Sequence, residues 1–305
     1  MTNFVRLYSI RLAWWNLGIS PPGSSSSKQV DYDALVEDLS TVFFEHDNHF
    51  LGVCEVSGND ISELEKRLPS TLSIINLNND AGRTRFDTAV LYDNTHLSVN
   101  FEADIQEQSC GQTIKAGQKL RITEKQFNDE FIVYVCHWAS RLRTEGEVKR
   151  KLAANLLYES SKNHTSNDER VIILGDFNDN PYDPSLKDGL KASRCHELVK
   201  SYRKELFYNP FWRSIVSESK YNYTLSEAKD YFYFGSHKYK APFDANWHSY
   251  DQIILSGSFL GGDAWHLHEN QTKVMNSERF LSYLLSKDSH YDHLPVTCEI
   301  LRHEV

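Results

Sequence analysis

One short apolar run, followed at once by a glycine and a cluster of acids and amides, constrains the fold of this chain more than any other feature. Residues 171–174 read Val-Ile-Ile-Leu, and runs of this length that are rich in β-branched residues are typical of a buried β-strand. Gly175 follows, where the backbone can turn or approach a ligand closely. Asp176 and Asn178 come next. Because residues two apart in an extended chain point to the same side, we expect these side chains to share one face at the strand end.

A carboxylate and a carboxamide at one strand end suit the handling of a phosphate or of a metal-bound water. Asp176 can accept a proton or hold a water, and Asn178 can donate to an oxyanion without adding a repelling negative charge. An Asx-rich turn that merely ends the strand would use the same residues. Other parts of the sequence are needed to distinguish a functional site from a simple turn.

The composition is that of a globular protein with a real core. The chain has 305 residues, of which 40% are hydrophobic and 12% aromatic. Its 33 basic and 42 acidic residues give a net charge of −9, which excludes a basic nucleic-acid coat protein. The charge does not argue against nucleic acid as a substrate, because a divalent cation with local Arg and Lys can supply positive charge inside a site.

The cysteines and the N-terminus predict a cytoplasmic protein. None of the five cysteines forms a C-x-x-C motif, and Cys54, Cys136 and Cys298 lie in apolar runs, so we expect them to be core residues in a reducing compartment. Residues 1–15 are too polar for a signal peptide, and no apolar run approaches the roughly 20 residues of a membrane span. We therefore expect no association with a membrane.

Strand-like and helix-like patterns interleave along the whole chain, without a repeat of fixed period, which predicts a single α/β domain over residues 1–305. The predicted helices are 31–44, 61–68, 145–160 and 277–285. The predicted strands are 10–17, 50–56, 71–77, 87–92, 97–105, 119–123, 131–138, 171–174, 250–255 and 295–301. In the helix at 145–160, we expect Val148, Leu152, Leu156 and Leu157 to face the core and Lys149, Arg150 and Lys151 to face solvent.

Six of the strand-like runs end in, or lead out of, a polar residue that can bind metal or phosphate. These residues are Asn16, Glu55, His137, Asp176 with Asn178, Asp251, and Asp292 with His293. Loops at one edge of a sheet are where sites assemble on a rigid scaffold. A set of carboxylates, histidines and asparagines suits a hard cation such as Mg²⁺, whereas structural zinc would favour Cys and closer His spacing.

The motifs around these residues resemble, in the same order, those of the endonuclease/exonuclease/phosphatase superfamily with the deoxyribonuclease I-like fold. They are Trp-Asn (15–16), Cys-Glu-Val (54–56), Cys-His-Trp-Ala-Ser-Arg (136–141), Leu-Gly-Asp-Phe-Asn-Asp-Asn-Pro (174–181), Tyr-Asp-Gln-Ile-Ile (250–254) and Tyr-Asp-His-Leu-Pro-Val (291–296). The resemblance covers nearly the whole chain. It implies an α/β (α+β) four-layer sandwich, in which two mostly antiparallel β-sheets pack face to face with helices on the outside.

The resemblance also implies a metal site. Glu55 looks like the main metal carboxylate of the superfamily, with Asn16 and Asp292 close to the same ion. The implied cofactor is Mg²⁺ or Mn²⁺, and one ion or two remain open.

The remaining motif positions correspond to catalytic roles. His293 matches the catalytic histidine and Asp251 the carboxylate that orients it, so the two are expected within hydrogen-bonding reach. Asp176 matches the carboxylate that positions or deprotonates the attacking water. Asn178 and His137 match the donors to phosphate oxygens in the transition state.

Substrate choice is less constrained, because this superfamily cleaves several classes of phosphate ester. Residues 248–252 lack the signature of the inositol phosphatases, and residues 137–141 resemble a His-Trp-Pro-Ser-Arg motif of bacterial nucleases or phosphatases. Two groups of side chains could contact nucleic acid: the arginines Arg83, Arg85, Arg141 and Arg143, and the aromatic residues Tyr231, Phe232, Tyr233, Phe234 and Trp247. The alternative for the arginines is a solvated surface position, and the alternative for the aromatic residues is packing in the core. Arg141, four residues after His137, is the best phosphate clamp.

The sequence therefore predicts a metal-dependent phosphodiesterase acting on nucleic acid. A phosphomonoesterase for a small phosphate ester is the main alternative. A non-catalytic binding module on the same fold is a further alternative, but such a module would be expected to lose the acids and histidines, which are all present. Protein partners, and the choice between DNA and RNA, stay open.

Overall fold

Strands and helices alternate in the structure, a computed structural model that describes residues 8–21, 30–82, 84–109, 111–142, 145–216, 234–239, 245–261, 263–286, 289 and 291–303. The strands are β1 (Tyr8–Asn16), β2 (Phe50–Cys54), β3 (Leu72–Asn76), β4 (Asn79–Ala81), β5 (Thr84–Phe86), β6 (Thr88–Asp93), β7 (Leu97–Ser109), β8 (Gln112–Glu124), β9 (Glu130–His137), β10 (Val171–Asp176), β11 (Ala192–Ser193), β12 (Phe207–Tyr208), β13 (His237–Lys238), β14 (Trp247–His248), β15 (Asp251–Ser256), β16 (Trp265–Val274) and β17 (Val296–Arg302). The α-helices are α1 (Tyr32–Ser40), α2 (Gly58–Glu65), α3 (Gly146–Ser166), α4 (His196–Ser201) and α5 (Glu278–Leu285). Short π-type turns at Thr41–Glu45 and Ser185–Gly189 and 3₁₀ turns at Pro210–Ile215 and Gly257–Leu260 complete these elements.

Two large sheets bring the polar strand ends into register. One sheet has the order β16-β17-β1-β2-β6-β3 and the other β11-β12-β15-β10-β9-β8-β7. In the first, β1 runs parallel to β2, so Asn16 lies opposite Cys54. In the second, β10 is parallel to β9 and antiparallel to β15, so Asp176 lies opposite both His137 and Asp251. The strand pairing therefore places these residues next to one another at the strand ends of each sheet.

The inner faces of the two sheets meet in a hydrophobic core. Leu12 and Trp14 of β1 point into it from one side, and Ile172 and Leu174 of β10 from the other. Trp15 points the opposite way, as expected for alternating residues of a strand. Burying each of these large side chains contributes about 1.5–3 kcal/mol, so this core joins the two sheets firmly.

Helices cover the outer faces. On the first sheet, Trp15 and Val53 pack with residues of α1, α2 and α5. On the second, Tyr134 and Ile173 pack with residues of α3. The resulting order is helix, sheet, sheet, helix, and the predicted four-layer sandwich is confirmed.

Helix α3 presents only part of the predicted face to the core: Leu157 is fully buried and Leu156 packs against the core, as predicted. Val148 and Leu152 are exposed, whereas Arg150 is only 4% exposed. The Arg150 guanidinium is buried because Nε lies 2.8 Å from a carboxylate oxygen of Asp179 and Nη1 donates to the carbonyl of Ala139 at 3.0 Å. A buried ion pair therefore sets the rotation of this helix, and apolar periodicity alone misplaces it.

Other boundaries differ in ways that hydrophobic patterning does not reveal. The helix predicted at 31–44 divides into α1, whose N-terminus is capped by the Asp31 side chain, and the π-type turn Thr41–Glu45. Strands β7 and β8 form a long hairpin of 13 residues each, longer than predicted, because exposed polar residues such as Glu107 carry β7 beyond its apolar part. Among the described residues, no helix combines the length and apolar character needed to cross a bilayer.

Gly175 and three of the cysteines lie in the buried interior. Gly175 is required where β10 approaches β9, because a Cβ at this position would overlap the backbone of Cys136. Cys54, Cys136 and Cys298 are all buried, as the sequence predicts. Burial raises the pKa of the Cys298 thiol to about 12, so this side chain stays protonated and unreactive.

Candidate active site

An amide between two carboxylates forms the centre of the site. Nδ2 of Asn16, at the end of β1, donates to Oδ2 of Asp176 at 3.1 Å and to Oε1 of Glu55 at 3.4 Å. The same Glu55 oxygen lies 3.9 Å from Nε2 of His137. The two sheets thus contribute to one cluster, since Asn16 and Glu55 come from the first and Asp176 and His137 from the second.

Glu55 holds an unusual backbone conformation directly after β2. Its φ of 57° lies in the left-handed region, which is unfavourable for a residue with a Cβ. The neighbouring backbone maintains it: Ser20 N donates to the Glu55 carbonyl at 2.7 Å, and Val56 N donates to the carbonyl of Asp87 at 3.2 Å. Strained residues of this kind concentrate at functional sites, because strain persists only where the surroundings enforce it.

His293 and Asp251 lie within hydrogen-bonding reach, as expected from the sequence. Nδ1 of His293 is 2.6 Å from Oδ2 of Asp251, a fully buried carboxylate. Asp251 also accepts hydrogen bonds from Nε1 of Trp14 at 2.9 Å and from the hydroxyl of Ser236 at 2.6 Å. Nε2 of His293 then faces the centre of the site, 3.8 Å from Oδ2 of Asp176.

The structure contains a second histidine–aspartate pair, which the sequence motifs do not predict. Nδ1 of His137 lies 3.0 Å from each carboxylate oxygen of Asp87, which is also completely buried. The sequence offers one signal for this role, because an acid that directly precedes the buried residues of β6 needs a partner if it is buried with them. Each histidine of the site is therefore oriented by its own aspartate.

Both pairs favour the protonated imidazole. Burial alone lowers the pKa of His137, but the charge and hydrogen bond of Asp87, with smaller effects of other carboxylates, outweigh burial and raise the pKa to about 9. The same competition raises the pKa of His293 well above its usual value, with Asp251 and Asp176 as the main charges. Both imidazoles can therefore donate a proton from Nε2 at neutral pH.

The central donor set fits a hard divalent cation. Burial raises the pKa of both Glu55 and Asp176, which means that their charges are poorly compensated by the protein itself. Asp292 adds a half-exposed carboxylate, with Oδ1 3.9 Å from Nε2 of His293. Carboxylate oxygens of Glu55, Asp176 and Asp292 are ligands that Mg²⁺ or Mn²⁺ prefers, and a cation among them would offset the cost of burying the acids. Asn16 presents Nδ2 to this cluster, whereas its Oδ1 accepts from Gly18 N at 3.1 Å.

Asn178 differs from the sequence-based geometry. The strand ends at Asp176, and Asn178 has a left-handed φ of 52°, so the two side chains do not follow an extended pattern. Instead the backbone N–H of Asn178 donates to Oδ1 of Asp176 at 2.9 Å, and its side chain donates to the carbonyl of Trp138 at 3.2 Å. The Asx turn considered as an alternative is present, and it orients the Asp176 carboxylate within the site.

Arg141 is held by the loop that follows β10. Its Nε donates to the carbonyl of Asn178 at 2.8 Å, and Nη2 donates to Oδ1 of Asp179 at 2.8 Å and also contacts Asp183. The guanidinium lies over the ring of Tyr250 at 5.4 Å. These contacts give Arg141 a structural task that its distance in sequence from His137 did not indicate.

A groove begins at the central cluster. A cavity of about 400 Å³ is lined by Glu55 and His137 at one end and reaches Thr84, Thr113 and Lys149. A second cavity of about 360 Å³ shares these last three residues, so the two adjoin. The groove is therefore longer than a single phosphate group needs.

The other residues considered for nucleic-acid contact have varied positions. Arg85 is partly exposed on β5, with Nη2 3.4 Å from the carbonyl of Ser20. Trp247 is buried, and Phe234 packs with it against the first sheet, as the core-packing alternative expects. Outside the described residues lie Arg83, Arg143, Tyr231, Phe232 and Tyr233.

The family assignment rests on a match that spans most of the chain. A model of the endonuclease/exonuclease/phosphatase family matches residues 20–298. The chain belongs to this family. Enzymes of the endonuclease/exonuclease/phosphatase family hydrolyse phosphoester bonds and generally use a divalent metal ion. A comparison with curated protein sequences finds no match.

Solved structures of the family share the fold across nearly their full length. An endonuclease/exonuclease/phosphatase family protein from Bacteroides thetaiotaomicron is 16% identical with a TM-score of 0.61, and the alignment covers 98% of this chain and 100% of that one. The human nocturnin catalytic domain is 15% identical with a TM-score of 0.58, at 96% and 94% coverage. A mannosyl-6-phosphatase from B. thetaiotaomicron is 15% identical with a TM-score of 0.59, at 95% and 99% coverage. At these identities the likeness concerns the fold alone.

Proposed function

We propose that this protein is a divalent-metal-dependent phosphodiesterase that hydrolyses nucleic acid, with Mg²⁺ or Mn²⁺ as its cofactor. One observation carries the proposal: two histidines, each paired with a buried aspartate, face the same acidic centre, with His293 Nε2 3.8 Å from Asp176 and His137 Nε2 3.9 Å from Glu55. A phosphate placed between them would meet two cationic donors and a cation site at once.

The residues of this chain have complementary tasks in the proposed reaction. Asp176 holds the attacking water and accepts its proton, a role that suits a carboxylate whose pKa is raised by burial. His293 and His137 donate from Nε2 to the non-bridging oxygens, where negative charge grows as water attacks phosphorus. Asp251 and Asp87 hold the two rings in place.

The cation would be held by Glu55 and Asp292, and a turn of the Asn16 amide would bring in its Oδ1 as a further ligand. When bound, it supplies positive charge for the phosphate and for the oxygen that leaves. The acidic centre repels phosphate without that charge, so substrate binding and metal binding are coupled. Asn178 and the arginines Arg141 and Arg85 contribute indirectly in this scheme, by shaping the loops beside the groove.

The extended groove favours a polymeric substrate. The two adjoining cavities leave room for a substrate that extends well beyond the scissile phosphate, as a nucleic-acid strand does and a small phosphomonoester does not. A fold relative from D. rerio, TDP2, was solved with a single-strand DNA product, with 12% identity and a TM-score of 0.57 over 96% of this chain and 98% of that one. The mannosyl-6-phosphatase relative favours the second candidate, a phosphomonoesterase. A non-catalytic module is disfavoured, because both His–Asp pairs and the acidic centre are intact.

A substrate panel tests the proposal. The purified chain is incubated with single-stranded DNA, plasmid, RNA and p-nitrophenyl phosphate, each with Mg²⁺, Mn²⁺ or EDTA, and an Asp176→Asn variant purified in parallel controls for contaminating nuclease. We expect cleavage of at least one nucleic acid by the wild type with Mg²⁺ or Mn²⁺ and none with EDTA or the variant. Hydrolysis of p-nitrophenyl phosphate alone would favour the phosphomonoesterase, and no activity on any substrate would contradict both candidates.

A further inference from the structure

A third histidine lies directly beside His293. His237, on β13, forms an antiparallel bridge with His293, and Leu294 N donates to the carbonyl of Ser236 at 2.6 Å. Residues opposite each other in an antiparallel pair place their side chains on the same face, and the two imidazole rings are 4.3 Å apart between centroids. His237 has no task in the phosphodiesterase scheme above.

The two imidazoles are oriented alike. Nδ1 of His237 lies 2.9 Å from the carbonyl oxygen of Asp292, which can only accept, so this nitrogen carries the proton. Nδ1 of His293 in the same way donates to Asp251 at 2.6 Å. Metal-binding histidines are typically fixed by such a bond from the other ring nitrogen. Nε2 is therefore the nitrogen that each ring offers to a ligand.

Asp292 supplies a third ligand atom. Its half-exposed carboxylate has Oδ1 3.9 Å from Nε2 of His293, and one ligand atom from each of His237, Asp292 and His293 lies within 4.8 Å of the others. His237 is 6% exposed, and among the described residues its Nε2 has no hydrogen-bond partner. Contacts with Tyr250 and Tyr239, at 5.4 and 4.6 Å between ring centroids, hold the His237 ring in place.

We propose that His237, Asp292 and His293 form a transition-metal site that binds Zn²⁺. Two imidazole nitrogens and one carboxylate oxygen are a ligand set that zinc takes readily, with a fourth position left for water. The set differs from the oxygen ligands around Glu55 and Asn16, which suit Mg²⁺. Zinc displaces the proton from Nε2 of His293, so one proton is released to solvent for that bond.

Zinc at this site would inhibit hydrolysis. It occupies Nε2 of His293, the nitrogen that donates to the phosphate in the proposed reaction, and it competes for Asp292. This consequence rests on the proposed function, whereas zinc binding itself does not. The site would give the enzyme opposite responses to two divalent cations, activation by magnesium and inhibition by zinc.

Zinc binding is measured on the full chain by competition with a chromogenic zinc chelator, in the presence of excess Mg²⁺. We expect one equivalent to bind to the wild type, and His237→Phe, which keeps a ring against Tyr250, to weaken binding by more than about 10-fold. His248→Phe is the matched control, because its ring also stacks on Tyr250, at 4.8 Å, outside the ligand trio. It should bind zinc as the wild type does. Co²⁺ should give the intense visible bands of low-coordinate cobalt in the wild type and control only.

Two outcomes would overturn the site. The first is equal zinc affinity of the wild type and His237→Phe. The second is that Glu55→Gln loses zinc binding while His237→Phe keeps it, which would assign zinc to the magnesium site. Thermal unfolding shows whether each variant is folded, and Asp292→Asn, at a half-exposed position, repeats the test if His237→Phe is not. No turnover is needed, so failure of this site and failure of the phosphodiesterase proposal are separable.

Discussion

The Asp251 carboxylate accepts three hydrogen bonds at the base of the site, and removing its charge should reduce activity because His293 loses the group that orients it. In Asp251→Asn, the amide can present an N–H where Oδ2 now accepts from Nδ1 of His293 and from Ser236. The ring would then adopt the wrong tautomer or turn away. By analogy with histidine–aspartate pairs elsewhere, we expect kcat to fall by roughly 10²–10⁴-fold with little change in KM.

Glu299→Gln is the control for removing a buried acid. Glu299 is 4% exposed and paired with Arg11 at 2.9 Å, but it belongs to β17, outside the cluster around Asn16 and Asp176. Its variant should lose stability and keep kcat. Equal losses of kcat in both variants would mean that Asp251 acts only on stability.

His49 should make the folded state sensitive to acid. Its Nδ1 accepts a hydrogen bond from the backbone of Arg11 at 3.2 Å, and burial, together with the neighbouring His96, lowers its pKa to about 4. Below pH 6.5 the His49 imidazole binds a proton in the unfolded chain but stays neutral in the folded chain. The free energy of unfolding therefore falls as the pH drops from 6.5 towards 4. His49→Asn keeps a hydrogen-bond acceptor but does not titrate in this range. Between pH 7 and 4.5 we expect its free energy of unfolding, measured in urea, to fall by about 2 kcal/mol less than that of the wild type. Parallel pH profiles would contradict this.

Individual site residues could be predicted where they close a strand. Asn16, Glu55, His137 and Asp176 all follow apolar runs, and the structure brings them together. Asp87 and His237 are not predicted, because Asp87 directly precedes its strand, His237 begins its own, and each meets its partner only in the folded chain. For Arg141 the sequence suggests exposure to a ligand, and only the folded loop reveals its bonds to Asp179 and Asp183.

At the scale of elements, a buried ion pair joins helix α3 to the loop after β10. Arg150 and Asp179 are each at most 4% exposed at the side chain, and Asp179 also accepts from Ser185 and Arg141. Arg150→Met keeps most of the apolar stem and leaves the Asp179 charge with fewer partners. We expect the free energy of unfolding to fall by about 3 kcal/mol, measured by urea denaturation.

Lys149→Met is the matched control on the same helix. Among the described residues, Lys149 forms an ion pair with Glu145 alone, at 4.0 Å near the surface, so Lys149→Met should change the free energy of unfolding by less than about 0.5 kcal/mol. Similar losses in both variants would mean that the Arg150 pair contributes no more than a surface charge does. The pair also explains why apolar periodicity misplaces the N-terminal half of α3, since the charged Arg150 occupies a core position there.

At the scale of the whole molecule, the two sheets share both a core and a site. Trp14 of the first sheet and Leu174 of the second pack in one cluster, and Asn16 reaches Asp176 across the same boundary. We therefore expect one cooperative unfolding transition, with coincident near-ultraviolet and far-ultraviolet circular dichroism curves. Mn²⁺ should raise the midpoint of both together, because the cation binds only the folded site. Two separated transitions would indicate independent units.

The architecture was more predictable than its details. Alternating strands and helices with polar residues at the strand ends predict an α/β domain with a site at the strand ends, and the resemblance to the family implies the two sheets and the order of the layers. The long β7–β8 hairpin was shortened in the prediction because Glu107 and other exposed residues interrupt the apolar alternation. The groove could not be predicted at all, since Thr84, Thr113 and Lys149 meet only in the folded chain.

The Mg²⁺ dependence of hydrolysis by Glu55→Gln tests the central claim most directly. Glutamine keeps the size of the side chain and removes the charge at the centre of the acidic cluster, next to Asn16 and His137. The wild type should show a rate that rises with Mg²⁺ and saturates. Glu55→Gln should lose at least about 100-fold at every Mg²⁺ concentration while its melting temperature stays at or above that of the wild type without metal, because removing a poorly compensated buried charge does not weaken the fold. Activity retained in Glu55→Gln with an unchanged Mg²⁺ dependence would contradict a metal-dependent site at this position.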